Sequence, residues 1–420
     1  MKNLNFRVPV LSKLLNSREI TSEELVRECL RRIRSKDAVS DFAYLDPDGA
    51  IQAARLSDIR REKGEPQGVL AGIPFAVEDR FCTLDMPTGN NCELLREYRS
   101  PYEADAVRFL RSAGAILLGK LRTDGFLSGN IENIESDKKI GTSALAVEET
   151  LPFAVCADTG GSLLRRYTQD KVHGTVIWKA AGTAISRYGM ISCAPSFDAV
   201  GIMAHTAEDA ATVHRVLTNQ TDEYALSTLS RGNKLPRVGI FSEDAVLTAY
   251  GKKLMAAGWV TETVSALFPQ AVLQAYRILS SVETASEMAL YDGIRFGARA
   301  EAGCNTEAKT AETRGYYFSY DEKKTLLLGT ALLMGEHREG CHRAARQIRW
   351  ETEQNLITLF GSYDVILCPL TAETSVLPSF GDLSAIALNG VLVMTVSGRE
   401  DLLLRCAEIL TAPRGGNRYE

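Results

Sequence analysis

The chain has 420 residues, 45% of them hydrophobic and 24% charged, with a net charge of −5. That is the make-up of an ordinary globular protein with a large buried core, in one large domain or two. The acidic balance gives no general pull towards nucleic acid or an anionic membrane, so direct nucleic-acid binding is disfavoured. Any RNA contact would be local or made by a partner. The nine cysteines are scattered singly with no C-x-x-C pair. This favours reduced thiols in the cytosol over a disulfide framework. No zinc pattern is present, and His337 and His342, five apart, do not share a helical face. No metal and no cofactor are expected. The N-terminus lacks the apolar core of a signal peptide. The longest apolar stretch, Leu326 to Met334, is broken by Gly329 and Thr330 and falls far short of the ~20 residues that span a bilayer. The expectation is a soluble, cytoplasmic protein with no membrane contact.

In chain order, Thr21-Ser22-Glu23-Glu24 opens a helix with a capping box, Thr21 at the cap and Glu24 three later. Leu25, Val26, Cys29, Leu30 and Ile33 form its apolar face. Residues 50–62 read as a second helix, stopped at Lys63-Gly64-Glu65-Pro66. Phe75 to Val77 reads as a short buried strand. A helix follows from Ala104, then a strand at Ala115 to Leu118. Pro152 to Cys156 is another strand, and it delivers the turn Asp158 to Ser162. Residues 218–235 are polar and read as a surface connection. Arg237 to Phe241, Asp364 to Leu367 and Val391 to Val396 are further strands, with helices between. Strands alternating with helices predict an α/β layered fold. The run His337 to Arg349 is locally basic. On a helix Arg343, Arg346 and Arg349 share one face, which reads as solvated or as a partner or RNA contact.

The chemistry concentrates at Ala157-Asp158-Thr159-Gly160-Gly161-Ser162. Glycines permit a sharp turn that points backbone N–H groups inward. A serine beside converging amides supplies a nucleophile and donors for an oxyanion, the two requirements of acyl transfer. Placement at the carboxyl end of a strand suits an α/β site.

This turn and its neighbours resemble the amidase signature family, and within it the glutamine-hydrolysing A subunits of tRNA-dependent amidotransferases. The resemblance rests on the Asp158–Ser162 run and on Gly72-Ile73-Pro74-Phe75-Ala76-Val77-Glu78-Asp79. Arg187-Tyr188-Gly189 with Ser196-Phe197-Asp198-Ala199-Val200-Gly201 adds to it. Leu290-Tyr291-Asp292-Gly293-Ile294-Arg295-Phe296-Gly297 and Asp364-Val365-Ile366-Leu367-Cys368-Pro369 point to the A subunits in particular. It covers about residues 10–400. It implies one amidase-signature domain over 1–420 with a large mixed β-sheet flanked by helices. An N-terminal helical segment (about 10–62), a signature core (about 68–205) and a C-terminal part (about 236–410) are its expected pieces. It implies Ser162 as the nucleophile and Thr159, Gly160 and Gly161 as the oxyanion-hole segment. It also implies Arg295 and Asp382 as the residues gripping the charged end of an amino acid such as glutamine, with Asn389 matching seven past Asp382. Amidotransferase-type partner subunits are implied in the same way.

The chain departs from the family pattern where the chemistry depends on it. The family's machinery is a serine, a second serine in a cis peptide, and a lysine base. The lysine position is Glu78. Counting 24 residues back from Ser162, with Pro152 matching a family proline between, the second-serine position falls on Lys138. The loop there, Lys138 to Ser143, has lost its Gly/Ser richness, and the preceding segment, Ile131 to Asp137, is shorter than the family's. The family's arginine two past the nucleophile is Leu164, its proline two further on is Arg166, and its Gly-Leu-Lys-Pro segment is replaced around Gly174 to Trp178. A carboxylate with a reference pKa near ~4.3 is a weak base at pH 7, so Glu78 cannot copy the lysine. Three readings stand. Glu78 and Lys138 form a structural ion pair in a disabled amidase site; or Lys138 is itself the base of a rewired Ser–Lys dyad that Glu78 positions; or the loop is out of register and Lys138 is exposed. The overall expectation is an amidase-like protein with hydrolysis lost or altered, binding a small amide, an amino acid or a partner. The alternative is an active amidase, or an amidotransferase component, using Ser162.

Overall fold

Thr21 and Glu24 close the predicted capping box: Glu24 N–H donates to Thr21 Oγ1 at 3.1 Å and Thr21 N–H to Glu24 Oε2 at 2.9 Å. The helix they start runs Ser22–Ser35, and Leu25, Val26, Cys29, Leu30 and Ile33 are all buried. The second helix is longer than predicted, Pro47–Glu62, because Asp46 caps it through Gly49 N–H and Pro47 fits the first turn. These features belong to a computed structural model that describes residues 4–35, 38–127, 147–148, 150–169, 174–219, 235–241, 244–265, 268, 270–301, 303 and 305–412.

Among the described residues eleven strands make one mixed sheet. They are β1 (Phe42–Leu45), β2 (Pro74–Glu78), β3 (Ile116–Leu121), β4 (Phe153–Thr159), β5 (Val176–Lys179) and β6 (Asp198–Ala204), then β7 (Arg237–Ile240), β8 (Val260–Thr263), β9 (Val365–Pro369), β10 (Leu383–Leu388) and β11 (Val391–Val396). Their order across the sheet is β1-β3-β2-β4-β6-β5-β10-β11-β9-β7-β8. β2 runs parallel to both β3 and β4, with Val77 opposite Val155. β4 and β6 are antiparallel, with Thr159 opposite Asp198. Every residue of β2, β3, β4 and β6 is buried, as expected for strands covered on both faces. Phe75 and Phe153 stack at 5.5 Å across β2 and β4. Fully burying one such ring is worth about 1.5–3 kcal/mol.

The basic run divides. A π-helical turn at Arg338–His342 precedes the helix Arg343–Ser362. Arg343 and Arg346 are exposed. Arg349 instead packs inward, pairing with Glu353 at 3.0 Å, donating to Ser196 Oγ at 2.7 Å and lying over the Phe197 ring. The solvated reading therefore fits Arg343 and Arg346 and not Arg349. Most of the 218–235 connection lies outside the described residues. No helix among the described residues is long and apolar enough to cross a membrane.

Candidate active site

The parallel pairing of β2 and β4 brings their carboxyl ends to the same edge. Glu78 is the last residue of β2; Ser162 follows β4 by a two-glycine turn and begins the helix Ser162–Gln169. Gly160 and Gly161 have φ of +56° and +78°. A Cβ on Gly160 would come within 2.0 Å of the Tyr276 ring, and one on Gly161 within 2.0 Å of Ser375 O. Both sterics and handedness thus require glycine at these two positions.

The turn's polar groups are already committed. Thr159 N–H donates to Ser162 Oγ at 3.0 Å, Gly160 N–H to Phe197 O at 3.2 Å, and Gly161 N–H to Asp158 Oδ2 at 2.8 Å. Asp158 also accepts from Leu163 N–H at 2.9 Å. Tyr276 Oη donates to Thr159 O at 3.0 Å. The three amides expected to face an oxyanion each have a partner within the fold. Among the described residues no side chain accepts the Ser162 proton, while the Thr159 amide occupies a lone pair of its oxygen.

Two buried cations bond this turn, Arg165, which donates to Gly160 O at 2.8 Å, and Arg80, both absent from the sequence-based expectations. Arg80 is fully buried and donates to Thr159 Oγ1 at 3.0 Å, to Ile191 O at 2.9–3.0 Å, and to Asp198 Oδ1 at 3.2 Å. Asp198 also accepts from the Thr159 hydroxyl at 2.5 Å, from Ser192 Oγ and from Cys193 N–H. Burial opposes the charge on Arg80, but the Asp198 carboxylate beside it favours that charge, and its pKa is raised. A guanidinium stays protonated in proteins, so Arg80 orders the turn and cannot serve as a base. The signal in the sequence is three consecutive charges, Glu78-Asp79-Arg80, at the end of an apolar strand. Buried charges need partners, and Asp79 takes Lys120 at 2.9 Å.

Glu78 accepts from Ala157 N–H at 2.5 Å and bonds the Thr123 side chain. Burial pushes its carboxyl pKa up; the Arg80 charge and these hydrogen bonds pull against that without reversing it. It makes no hydrogen bond to Ser162. Lys138, and with it the proposed Glu78–Lys138 contact, lies outside the described residues. Leu164 is buried in the core, and Arg166 pairs with Asp124.

Arg295 and Asp382 lie in different parts of the sequence, one before the helix Thr306–Tyr317 and the other just before β10. Arg295 is exposed. Asp382 lines a cavity of about 460 Å³ together with Lys179, Thr183, Arg349, Phe197 and Phe380, and neither Arg295 nor Ser162 lines it. Asp382 has φ +49° and accepts from Thr183 N–H at 3.3 Å and Thr183 Oγ1 at 2.5 Å. Asn389, which supported the Asp382 register, sits with Gly390 in the two-residue turn between β10 and β11, both at positive φ. Asn-Gly is the sequence such a hairpin demands, which gives Asn389 a structural reason of its own.

The amidase family model matches residues 24–131 and 141–398. The A chain of the glutamyl-tRNA(Gln) amidotransferase of Acidothermus cellulolyticus is 30% identical over 404 residues, covering 87% of this chain and 79% of the relative. That of Pseudomonas aeruginosa is 30% identical over 399 residues, covering 86% and 81%. Among solved structures, the peptide amidase of Stenotrophomonas maltophilia matches with a TM-score of 0.75 at 20% identity, over 96% of each chain. The 6-aminohexanoate cyclic dimer hydrolase matches with a TM-score of 0.71 at 16% identity, over 97% of each. The two structural matches are likenesses of fold.

Proposed function

The chain belongs to the amidase family, and from that premise we propose that it is a relative of the amidotransferase A chains whose ordinary serine-based amide hydrolysis is lost or strongly altered. In this reading it binds a small amide or amino acid, or docks to another protein of an amidotransferase-type assembly, in a soluble cytoplasmic setting. The relatives' names, as subunits of an amidotransferase, support the partner part of the reading. One observation carries the catalytic part: the Ser162 oxygen accepts the Thr159 amide, while the cations that bond the turn, Arg80 and Arg165, are arginines.

The physical consequence follows directly. A serine hydroxyl attacks a carbonyl only if a base takes its proton, and the tetrahedral oxyanion survives only if donors are aimed at it. Arg80 cannot take a proton. Glu78 is held by Ala157 and Thr123, away from hydrogen-bonding reach of Ser162. The amides of Thr159, Gly160 and Gly161 would each have to give up a partner to serve an oxyanion. Loss of a general base typically costs ~10²–10⁴-fold, and loss of an oxyanion donor ~10²–10³-fold.

The test is ammonia release from glutamine and asparagine by purified protein, in a coupled assay. We expect release no faster than from Ser162→Ala. Turnover that disappears in Ser162→Ala would overturn the proposal.

A further inference from the structure

The apolar run Leu326 to Met334, too short to cross a bilayer, needs another reason to be there. It forms the second half of the helix Tyr320–Leu332 and the two residues after it. One side of this helix packs on the helix Val272–Met288. Gly329 is buried there, with Ser281 O only 2.2 Å from where its Cβ would lie. Glu322 and Thr325 are buried too. The opposite side is not polar, as the outer side of a surface helix ordinarily is. Tyr320 is 80% exposed, Leu327 71% and Met334 64%.

The spacing of the outer residues carries information. Tyr320, Lys324, Leu327, Ala331 and Met334 follow one another in alternating steps of four and three, and all are exposed. That is the seam along which one helix packs on another. A single lysine in such a seam fixes register at some cost in stability. The size also fits. With Tyr320, Leu327 and Met334 mostly uncovered and Leu328 half exposed, the face offers apolar area on the order of 500 Å², near the top of what a monomer leaves in one patch, ~300–600 Å². A standard interface takes ~800 Å² from each partner, of which ~56–58%, or roughly 450 Å², is apolar.

The charges at its ends say what covers it. Asp321 lies in the first turn of the helix, and Arg338 lies just past its other end. Both are exposed, and among the described residues neither is in an ion pair. A rim of one sign would call for a partner of the other sign. A rim with an acid at one end and a base at the other complements an inverted copy of itself. Parallel pairing would set like charges against each other. Antiparallel pairing sets Asp321 of each copy towards Arg338 of the other, and Tyr320 towards Met334, a favourable ring–sulfur contact. In a two-fold contact, residue i meets j and j meets i.

We propose that the chain forms a two-fold homodimer through this face. The helices Tyr320–Leu332 of two copies pack antiparallel, with Leu327 at the dyad and Asp321 of each copy paired with Arg338 of the other. The proposal does not rest on the state of Ser162.

The experiment is sedimentation equilibrium of the full chain up to about 100 μM. The parent should dimerise. Leu327→Arg sets two like charges together at the dyad and should weaken association about tenfold or more, with the far-UV circular dichroism of the parent. Asp321→Arg and Arg338→Asp should each weaken it alone, because each leaves two like charges facing. An equimolar mixture of these two variants should dimerise again, since every arginine then meets an aspartate. Should Leu327→Arg fail to fold, the charge variants carry the test. A parent chain that stays monomeric at about 100 μM, leaving the face to a different protein, overturns the proposal. A dimer indifferent to Leu327→Arg also overturns it, because the contact then lies elsewhere. So does a mixture of the two charge variants that stays monomeric.

Discussion

Glu78 is a carboxyl group held in a dry place, and its protonation is linked to stability. Its folded-state pKa is raised by burial, so the fold resists its ionisation. Below the ordinary carboxyl range both states are protonated and there is no penalty. As pH rises through that range to the raised folded value, the unfolded chain ionises first and stability is lost. Glu78→Gln removes the penalty while an amide oxygen can still accept from Ala157 N–H. The melting temperature of Glu78→Gln relative to the parent should therefore be near zero at pH 4 and positive at pH 8, by on the order of 1–3 °C. A mutant less stable than the parent at pH 8 would show that the charge itself is needed. That is what an ion pair with Lys138 requires, so the pH series separates the two accounts of this residue.

At the scale of elements, the turn between β4 and its helix is set by two glycines with different neighbours. Gly161 combines φ +78° with a backbone carbonyl, Ser375 O, where a Cβ would go. A backbone atom cannot move aside as a side-chain tip can. Gly161→Ala should cost at least about 1–3 kcal/mol, the range for one strained residue, read as a shift in denaturant midpoint. An unchanged midpoint would mean that the turn relaxes freely. The same scale shows what is legible in the sequence. β2, β3, β4, β7, β9 and β11 are apolar runs with clear ends, and each lies close to its expected place. β5, β6, β8, β10 and β1 escape detection for particular reasons. β6 opens on Asp198 and contains Gly201, which looks like a turn; the glycine is there because Leu163 Cδ2 fills the space of its Cβ. β8, Val-Thr-Glu-Thr, is a polar edge strand. β5 and β1 are four residues each, and in β10 the large apolar residues Leu383, Ile386 and Leu388 are interrupted by Ser384, Ala385 and Ala387.

At the scale of the whole molecule, Ser162 and Glu78 are legible because a local turn and a local substitution reveal them. Arg80 and Asp198 are not legible as a pair. They are 118 residues apart, and only the β4–β6 pairing puts Asp198 opposite Thr159. Removing one partner of such a buried pair typically costs ~3–5 kcal/mol, so the pair constrains the turn strongly. Resemblance assigns Arg295 and Asp382 to one grip; Arg295 is exposed, and Asp382 lines a cavity with Lys179 and Phe380, contacts that no sequence spacing reveals. Ser162 thus sits at the carboxyl end of β4, and the polar groups of its turn bond to the protein itself.

That account can be tested without knowing any substrate. A fluorophosphonate reacts with a serine whose hydroxyl is activated by a base, and intact-mass spectrometry reads the adduct. The account predicts no adduct above that of Ser162→Ala over a time in which an active serine hydrolase is fully labelled. Stoichiometric labelling of the parent chain that is abolished in Ser162→Ala would contradict it.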